Sequence, residues 1–290
     1  MKIGFIGLGA MGRPMAMNLQ RSGYELQLYD VRPGAGQKSS AAEAARGCEL
    51  LFTSLPGPKE VEAVASEIEG PLTWFDFSTN SPEVVRRLYA ELAKRNIQFL
   101  DAPVSGGPKG ATSGKLAIWV GGDAEVFRKY EPVLRRIGDQ PYYVGPIGAG
   151  TVAKLAHNAA SFTIQAALAE VFTLGVKGGV EPLALYRALR QGATGRKRAF
   201  DRLAEHFLPG VYDPPAFTVR LAHKDMTLAL ELARQQNVPM KVGKIAWEEL
   251  EEAMKRGWAE RDCRVAMTLQ EERAKVSVRV PRERLENLPD

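Results

Sequence analysis

The sequence predicts an α/β chain in two parts: a doubly wound, mostly parallel sheet domain followed by an all-α domain. Three observations predict it. Short apolar runs alternate with amphipathic segments through the first half, the pattern of βαβ units. A glycine-rich turn, GLGAMG, joins the first apolar run to the first amphipathic segment. Past residue 148 the strand signal stops and helical periodicity takes over. At 290 residues the chain suits two domains.

The strand candidates, in order, are KIGFIG (2–7), ELQLYD (25–30), LLFTSL (50–55), TWFDFS (73–78), IQFLDA (97–102), LAIWVG (116–121) and PYYVG (141–145). Between them lie helical patterns such as MGRPMAMNLQRSG, EVEAVASEIEG, SPEVVRRLYAELAKRN and DAEVFRKYEPVLRRIG. The helical half divides into 150–177, 182–191, 197–207, 219–236, 240–256 and 259–273. Its breaks fall at Gly178-Gly179, Gly192, Pro209-Gly210, Pro214-Pro215 and Pro239, residues that punctuate helices. The expected domains are therefore 1–148 and 149–290. The charged tail VSVRVPRERLENLPD is expected on the surface or against a partner subunit.

Charge and composition exclude several classes. The net charge is +5 and both signs are mixed along the chain, which favours small anionic ligands over nucleic acid. Two cysteines, Cys48 and Cys263, form no disulfide framework, so reduced thiols and a cytoplasmic location are expected. The glycine motif begins by residue 7, so no leader peptide is expected. Lys154, His157, Asn158, Gln165 and Glu170 interrupt the apolar stretch 151–176, so no membrane span is expected.

Gly7, Gly9 and Gly12 have the GxGxxG spacing, with Leu8, Ala10 and Met11 between them. Such glycines permit a tight turn, close approach of a pyrophosphate and close helix–strand packing. Asp30 ends the second strand and suits an adenine-ribose hydroxyl, which favours NAD. Arg32 follows, with Lys38 and Ser39 in the next loop; a guanidinium there can hold the 2′-phosphate of NADP. The balance falls to NADP, with NAD the alternative and a solvated Arg32 a third reading. Leu55-Pro56 and Thr79 follow later strands, where the rest of a dinucleotide site belongs. Thr79 reads equally as a cap ahead of Pro82.

The segment DAPVSGGPKG (101–110) offers Ser105, Gly106 and Gly107, a hydroxyl and amides suited to a carboxylate. It reads equally as a mobile loop. Lys154 and Asn158 are four residues apart and share a helix face. A lysine partly buried there could act as general acid and base, and Asn158 could hold a substrate oxygen. The competing reading is a lysine that extends to solvent. His157 and His223 are rival bases, expected instead to be structural, His157 because it stands off the Lys154 face.

Four ordered segments resemble the β-hydroxyacid dehydrogenase family, most of all its 3-hydroxyisobutyrate branch. They are GFIGLGAMGRPMAMNL (4–19), DAPVSGGPKGATSGKL (101–116), GAGTVAKLAHN (148–158) and HKDMTLAL (223–230). The resemblance implies a Rossmann-type domain followed by a helical domain that pairs subunits. It implies Lys154 as catalytic residue, and Asn158, Ser105, Gly106 and Gly107 at the substrate. Lys224 would lie near nicotinamide and substrate, and Leu55, Pro56 and Thr79 would contact cofactor. The chain departs from the family at Glu60, where members often carry asparagine.

The implied reaction is NAD(P)-dependent oxidation of a small anionic 3-hydroxy acid, 3-hydroxyisobutyrate to methylmalonate semialdehyde, without a metal. Alternatives are a 2-hydroxy-3-oxopropionate or succinic semialdehyde-type reductase of the same family, an imine reductase, which Lys154 disfavours, and a non-catalytic cofactor-binding scaffold. A homodimer or homotetramer through the helical half is expected, because a long alanine-rich helix carries more apolar surface than a small helical domain buries.

Overall fold

A computed structural model describes residues 1–196 and 203–285. Its strands are β1 (Lys2–Ile6), β2 (Glu25–Tyr29), β3 (Leu50–Thr53), β4 (Leu72–Asp76), β5 (Ile97–Asp101), β6 (Val104–Ser105), β7 (Ala117–Gly121) and β8 (Gln140–Gly145). They form an eight-stranded sheet in the order β2-β1-β3-β4-β5-β7-β6, with β8 paired to β7. β1 to β5 run parallel, while β7 is antiparallel to β5 and β6. Every residue of β3 and β4 is buried, as befits parallel strands covered on both faces.

Alternation along the strands splits neighbouring residues between two cores. Phe5, Phe52 and Phe75 join one cluster, with Met15 and Leu19 of α1 (Gly12–Arg21) and Phe127 and Tyr130 of α6 (Ala124–Leu134). Ile6, Leu51 and Trp74 join the other, against α2 (Ala41–Ala45), α3 (Pro58–Glu67) and α4 (Pro82–Ala93). Burying each large side chain contributes about 1.5–3 kcal/mol. The register pairs Ile6 with Tyr29 and Thr53, Thr53 with Asp76, and Asp76 with Asp101. The carboxyl ends of five strands therefore form one rim.

Short β6 carries too few residues for a periodic signal. The end of the expected loop 101–110 and the residues after it form a short helix, α5 (Gly107–Ser113). Helix α7 (Ala149–Lys177) has 29 residues, roughly 44 Å at 1.5 Å per residue. The chain packs as two compact units, Met1–Ala160 and Ser161–Asp290. The first turns of α7 thus belong with the sheet, although strand structure ends at Gly145.

Beyond α7 come α8 (Pro182–Gln191), α9 (Ala193–Arg196), a π-helical turn (Leu203–Phe207), α10 (Val219–Gln235) and α11 (Lys241–Lys255). The first part of the expected 197–207 helix lies outside the described residues. The expected 259–273 helix begins later, as a 3-10 turn (Cys263–Met267) running into α12 (Thr268–Ala274). Asp262 is the reason: it is fully buried, accepts from the Ala216, Phe217 and Arg264 amides and the Arg264 guanidinium, and caps the turn.

Helix α11 has no local side-chain cap at Met240. Glu170 of α7 supplies one, accepting from the Val242 amide at 2.9 Å and the Gly243 amide at 3.0 Å. The tail is tied down by Arg279, which forms a bidentate pair with Glu271, and ends, among the described residues, in α13 (Arg282–Leu285). Among the described residues, α7 is the helix long and apolar enough, by length and composition, to cross a membrane.

Candidate active site

The glycine turn closes on itself at the rim. Gly7 has φ +90°, and a Cβ there would run into the Ser54 carbonyl. A Cβ at Gly12 would overlap the Gly7 carbonyl oxygen. Both glycines answer to close backbone packing. Gly9 differs, because a Cβ there would meet no protein atom within 4 Å. It faces a cleft of about 520 Å³ lined by Gly7, Ala10, Met11, Asp30, Leu55 and Pro56 among others. Helix α1 opens beside it without a side-chain cap. An open cradle at a helix N-terminus, at the carboxyl edge of a parallel sheet, fits the pyrophosphate of a dinucleotide.

Asp30 anchors the turn. It accepts from the Leu8 amide at 2.6 Å and from the Arg32 side chain at 2.8 Å. Hydrogen bonding to Arg32, then to the Arg32 and Leu8 amides, outweighs burial and holds this carboxyl far below the usual carboxylate range. Arg32 also donates to the Leu8 carbonyl at 2.8 Å, yet its side chain is 60% exposed. The two residues that argued for different cofactors are one ion pair.

A second carboxylate orders the far side of the cleft. Asp76, fully buried at the end of β4, accepts from the Thr53 hydroxyl at 2.8 Å, the Ser78 amide at 3.0 Å and the Asn80 amide group at 3.2 Å. Burial pushes its carboxyl up despite these bonds. The Ser78 hydroxyl accepts from the Leu55 amide at 2.9 Å. Asp76 therefore fixes both loops that carry Leu55, Pro56 and Thr79; Thr79 itself is exposed and Asn80 is buried. Glu60 lines the same cleft.

The lysine lies at the start of α7. No residue just before that helix has the usual capping chemistry, and Asp101 of β5 reaches it from afar. Its buried carboxylate accepts from the Gly148 amide at 2.7 Å and the Thr151 amide at 2.6 Å. One turn on, Lys154 is half-buried, with Nζ 6.0 Å from the centre of the Trp119 ring. Burial pulls its ammonium below the ordinary lysine range, and among the described residues no neighbouring charge opposes that pull. Asn158 is half-buried on the same helix.

His157 stands against the same indole, ring centres 5.1 Å apart, and its Nε2 is 3.2 Å from the Ser105 hydroxyl. The expectation that His157 stands off the Lys154 face needs correction, because residues three apart on a helix are neighbours. Gly106 and Gly107 follow Ser105 with φ of +130° and +61° and open α5.

Lys224 and Asp225 lie on α10 in the second unit, paired at 3.0 Å and exposed. His223 sits 2.7 Å from Glu251 and beside the Trp247 ring. Among the described residues no group of His, Cys, Asp and Glu could hold a metal ion.

Comparison with known proteins fits these features. Residues 2–145 match the NAD binding domain of 6-phosphogluconate dehydrogenase, and residues 148–269 match the NAD-binding region of NADP-dependent 3-hydroxyisobutyrate dehydrogenase. The chain is 36% identical to 2-(hydroxymethyl)glutarate dehydrogenase of Eubacterium barkeri, over 96% of this chain and 97% of that one. It is 34% identical to 3-hydroxyisobutyrate dehydrogenase of Pseudomonas aeruginosa, over 84% of this chain and 89% of that one. It is similar in structure to 3-hydroxyisobutyrate dehydrogenase of Mycobacterium tuberculosis with L-serine, at a TM-score of 0.63 and 30% identity, covering 92% of this chain and 98% of that one. A dinucleotide cradle and a half-buried lysine at the edge of one sheet, in a chain with these relatives, identify a member of the β-hydroxyacid dehydrogenase family, an NAD(P)-dependent hydroxyacid dehydrogenase.

Proposed function

We propose that the protein oxidises 3-hydroxy acids, with 3-hydroxyisobutyrate to methylmalonate semialdehyde as its leading reaction. The observation that supports this most is Lys154: half-buried, with a lowered affinity for its proton and no charged partner among the described residues, close to the Ser105 loop through the shared Trp119–His157 contact. Neutral Lys154 accepts the proton of the 3-hydroxyl. In reverse it returns that proton to an aldehyde. The Ser105 hydroxyl and the Gly106 and Gly107 amides hold the carboxylate, and Asn158 orients a substrate oxygen. The cofactor, when bound, supplies the hydride-accepting carbon.

The substrates in the relatives' names support the class. 2-(Hydroxymethyl)glutarate, 3-hydroxyisobutyrate and L-serine, the last from the name of an L-serine dehydrogenase of Pseudomonas aeruginosa, each carry a hydroxymethyl group on a carbon that bears a carboxylate. Steady-state oxidation of these acids and of glycerate, which shares the hydroxymethyl group, with 4-hydroxybutyrate as the contrast, tests the reading. The highest kcat/KM is expected for 3-hydroxyisobutyrate. A preference for 4-hydroxybutyrate would move the enzyme to the succinic semialdehyde branch, and turnover of none would leave a binding scaffold.

NADP is the proposed cofactor. The exposed Arg32 guanidinium stands at the cleft edge and neutralises Asp30, which would otherwise repel a phosphate. Arg32→Ala is expected to weaken NADP binding about 10- to 100-fold, the range for a charged hydrogen bond, and to leave NAD nearly unchanged. Equal losses would return the choice to Asp30 and NAD.

Assembly as a homodimer or homotetramer through the helical half is part of the proposal. Phe162 and Leu168 of α7 and Leu183 and Tyr186 of α8 are 66, 49, 50 and 49% exposed, and large apolar side chains left open in this way suit subunit contacts. The same exposure would suit a lipid face, but Glu170 on this helix is engaged in capping α11, which favours a protein partner.

A further inference from the structure

We propose that His157 is a positioning residue: its Nε2–H donates to the Ser105 hydroxyl oxygen, which frees the serine hydrogen for the substrate carboxylate. The proposal rests on the reading of Ser105 as a carboxylate ligand.

Three observations meet here. The Nε2–Oγ separation is 3.2 Å between residues 52 apart in sequence, so the contact joins α7 to β6 and is not a local turn. The imidazole is half-buried with the Trp119 ring 5.1 Å away at 53°, which limits its swing. Lys154 is 6.0 Å from that same indole, so the groups assigned to the alcohol and carboxylate ends of the substrate share one wall.

Counting hydrogens decides the direction of the bond. A serine hydroxyl has one hydrogen and two lone pairs, and a neutral imidazole has one donor and one acceptor nitrogen. If Nε2 accepts, the serine hydrogen is consumed and the hydroxyl turns only lone pairs toward an incoming anion. If Nε2–H donates, the serine hydrogen remains for the carboxylate, and the hydroxyl is polarised as a better donor. A site that holds a carboxylate needs the second arrangement. It also removes His157 from the proton transfer, since its nearest nitrogen is committed to Ser105, whereas Lys154 has no such partner among the described residues.

Two measurements test the proposal. The first is a double-mutant cycle on the full-length enzyme, using NADP⁺ and the best acid of the panel above. His157→Phe keeps a ring against Trp119 and removes the donor; His157→Gln restores an N–H. His157→Phe is expected to raise KM about tenfold, the effect of one hydrogen bond, with kcat and cofactor Kd within about twofold. His157→Gln should recover most of that loss. In a Ser105→Ala background, His157→Phe should change KM less than twofold, because the partner is already gone. Multiplicative losses in the double variant, or a fall in kcat at constant KM, would overturn the proposal.

The second measurement needs no substrate. Long-range ¹⁵N–¹H correlation at alkaline pH reports the tautomer of each of the three histidines, and the His157 signal is the one lost in His157→Phe. The Nε2–H form is expected, and the Nδ1–H form would overturn the proposal. If no acid in the panel is oxidised, the functional reading fails and this tautomer still decides the role of His157.

Discussion

The two units bury their apolar residues in different ways. In the sheet unit, Phe5, Phe52, Phe75, Trp74 and Phe99 are essentially inaccessible, and helices cover both faces. Among its described residues the helical unit has small clusters, Tyr212, Val219, Ala253, Val265 and Ala266 in one and Leu174, Ala233 and Val238 in another. Helix α8 buries none of its residues. The first unit is complete as one chain, while the second carries apolar surface that its own elements leave open. Both use one device: a helix start without a local cap is held by a distant carboxylate, Asp101 for α7 and Glu170 for α11.

The largest effect is expected where the sheet unit is tightest. Gly12→Ala forces a methyl group onto the Gly7 carbonyl and should cost about 3 kcal/mol in chemical denaturation, the upper range for overpacking. Gly9→Ala sharpens the contrast, since no protein atom opposes its methyl. Stability should hold within about 0.5 kcal/mol while NADP affinity falls at least about tenfold through steric exclusion of the pyrophosphate. A stable Gly12→Ala protein, or full affinity in Gly9→Ala, would break the distinction between packing and ligand-facing glycines.

A smaller effect is expected on the open face of the helical unit. Light scattering at micromolar concentration should give a dimer or tetramer mass. Phe162→Glu should raise the subunit dissociation constant at least about 30-fold, since burial of such a ring is worth about 2 kcal/mol. A monomeric mass for the unaltered chain would show that the exposed face is not a subunit contact.

The smallest effect is on Glu170. Burial raises its carboxyl, but the Val242, Gly243 and Lys241 amides hold it below the ordinary range. A lowered folded value means stability present above the unfolded value near 4.5 and lost as pH falls through the folded one. Glu170→Gln should cost about 1 kcal/mol at neutral pH, the scale of a helix cap, with the difference from wild type closing below about pH 4. A pH-independent difference would show that ionisation of the cap does not matter.

The same cases show what was readable in the sequence. Strands β1 to β5, the glycine turn and α7 are local patterns, with signals confined to a few successive residues. Strand β6 is too short for periodicity. The site's anchors were not readable for another reason: Asp76 reaches Thr53, Asp101 reaches Gly148, and Glu170 reaches Val242, each far away along the chain. A clue existed for two of them, in helices that begin without Ser, Thr, Asp or Asn at the cap. The sequence alone undervalues His157 of α7, because its neighbour Trp119 lies on β7, far away along the chain. For Lys154 the periodicity allowed both solvent and interior; contact with Trp119 and partial burial distinguish them.

The most direct test concerns whether Lys154 moves a proton. Arginine keeps the charge but does not deprotonate in a protein. Single-turnover and steady-state rates, with cofactor Kd, should be measured for Lys154→Arg and Lys154→Ala on the preferred hydroxy acid. Both variants are expected to lose kcat by at least about 100-fold, the lower range for acid–base catalysis, with cofactor Kd within about threefold. Near-wild-type turnover by Lys154→Arg would contradict proton transfer and leave this residue only the electrostatic stabilisation of an alkoxide.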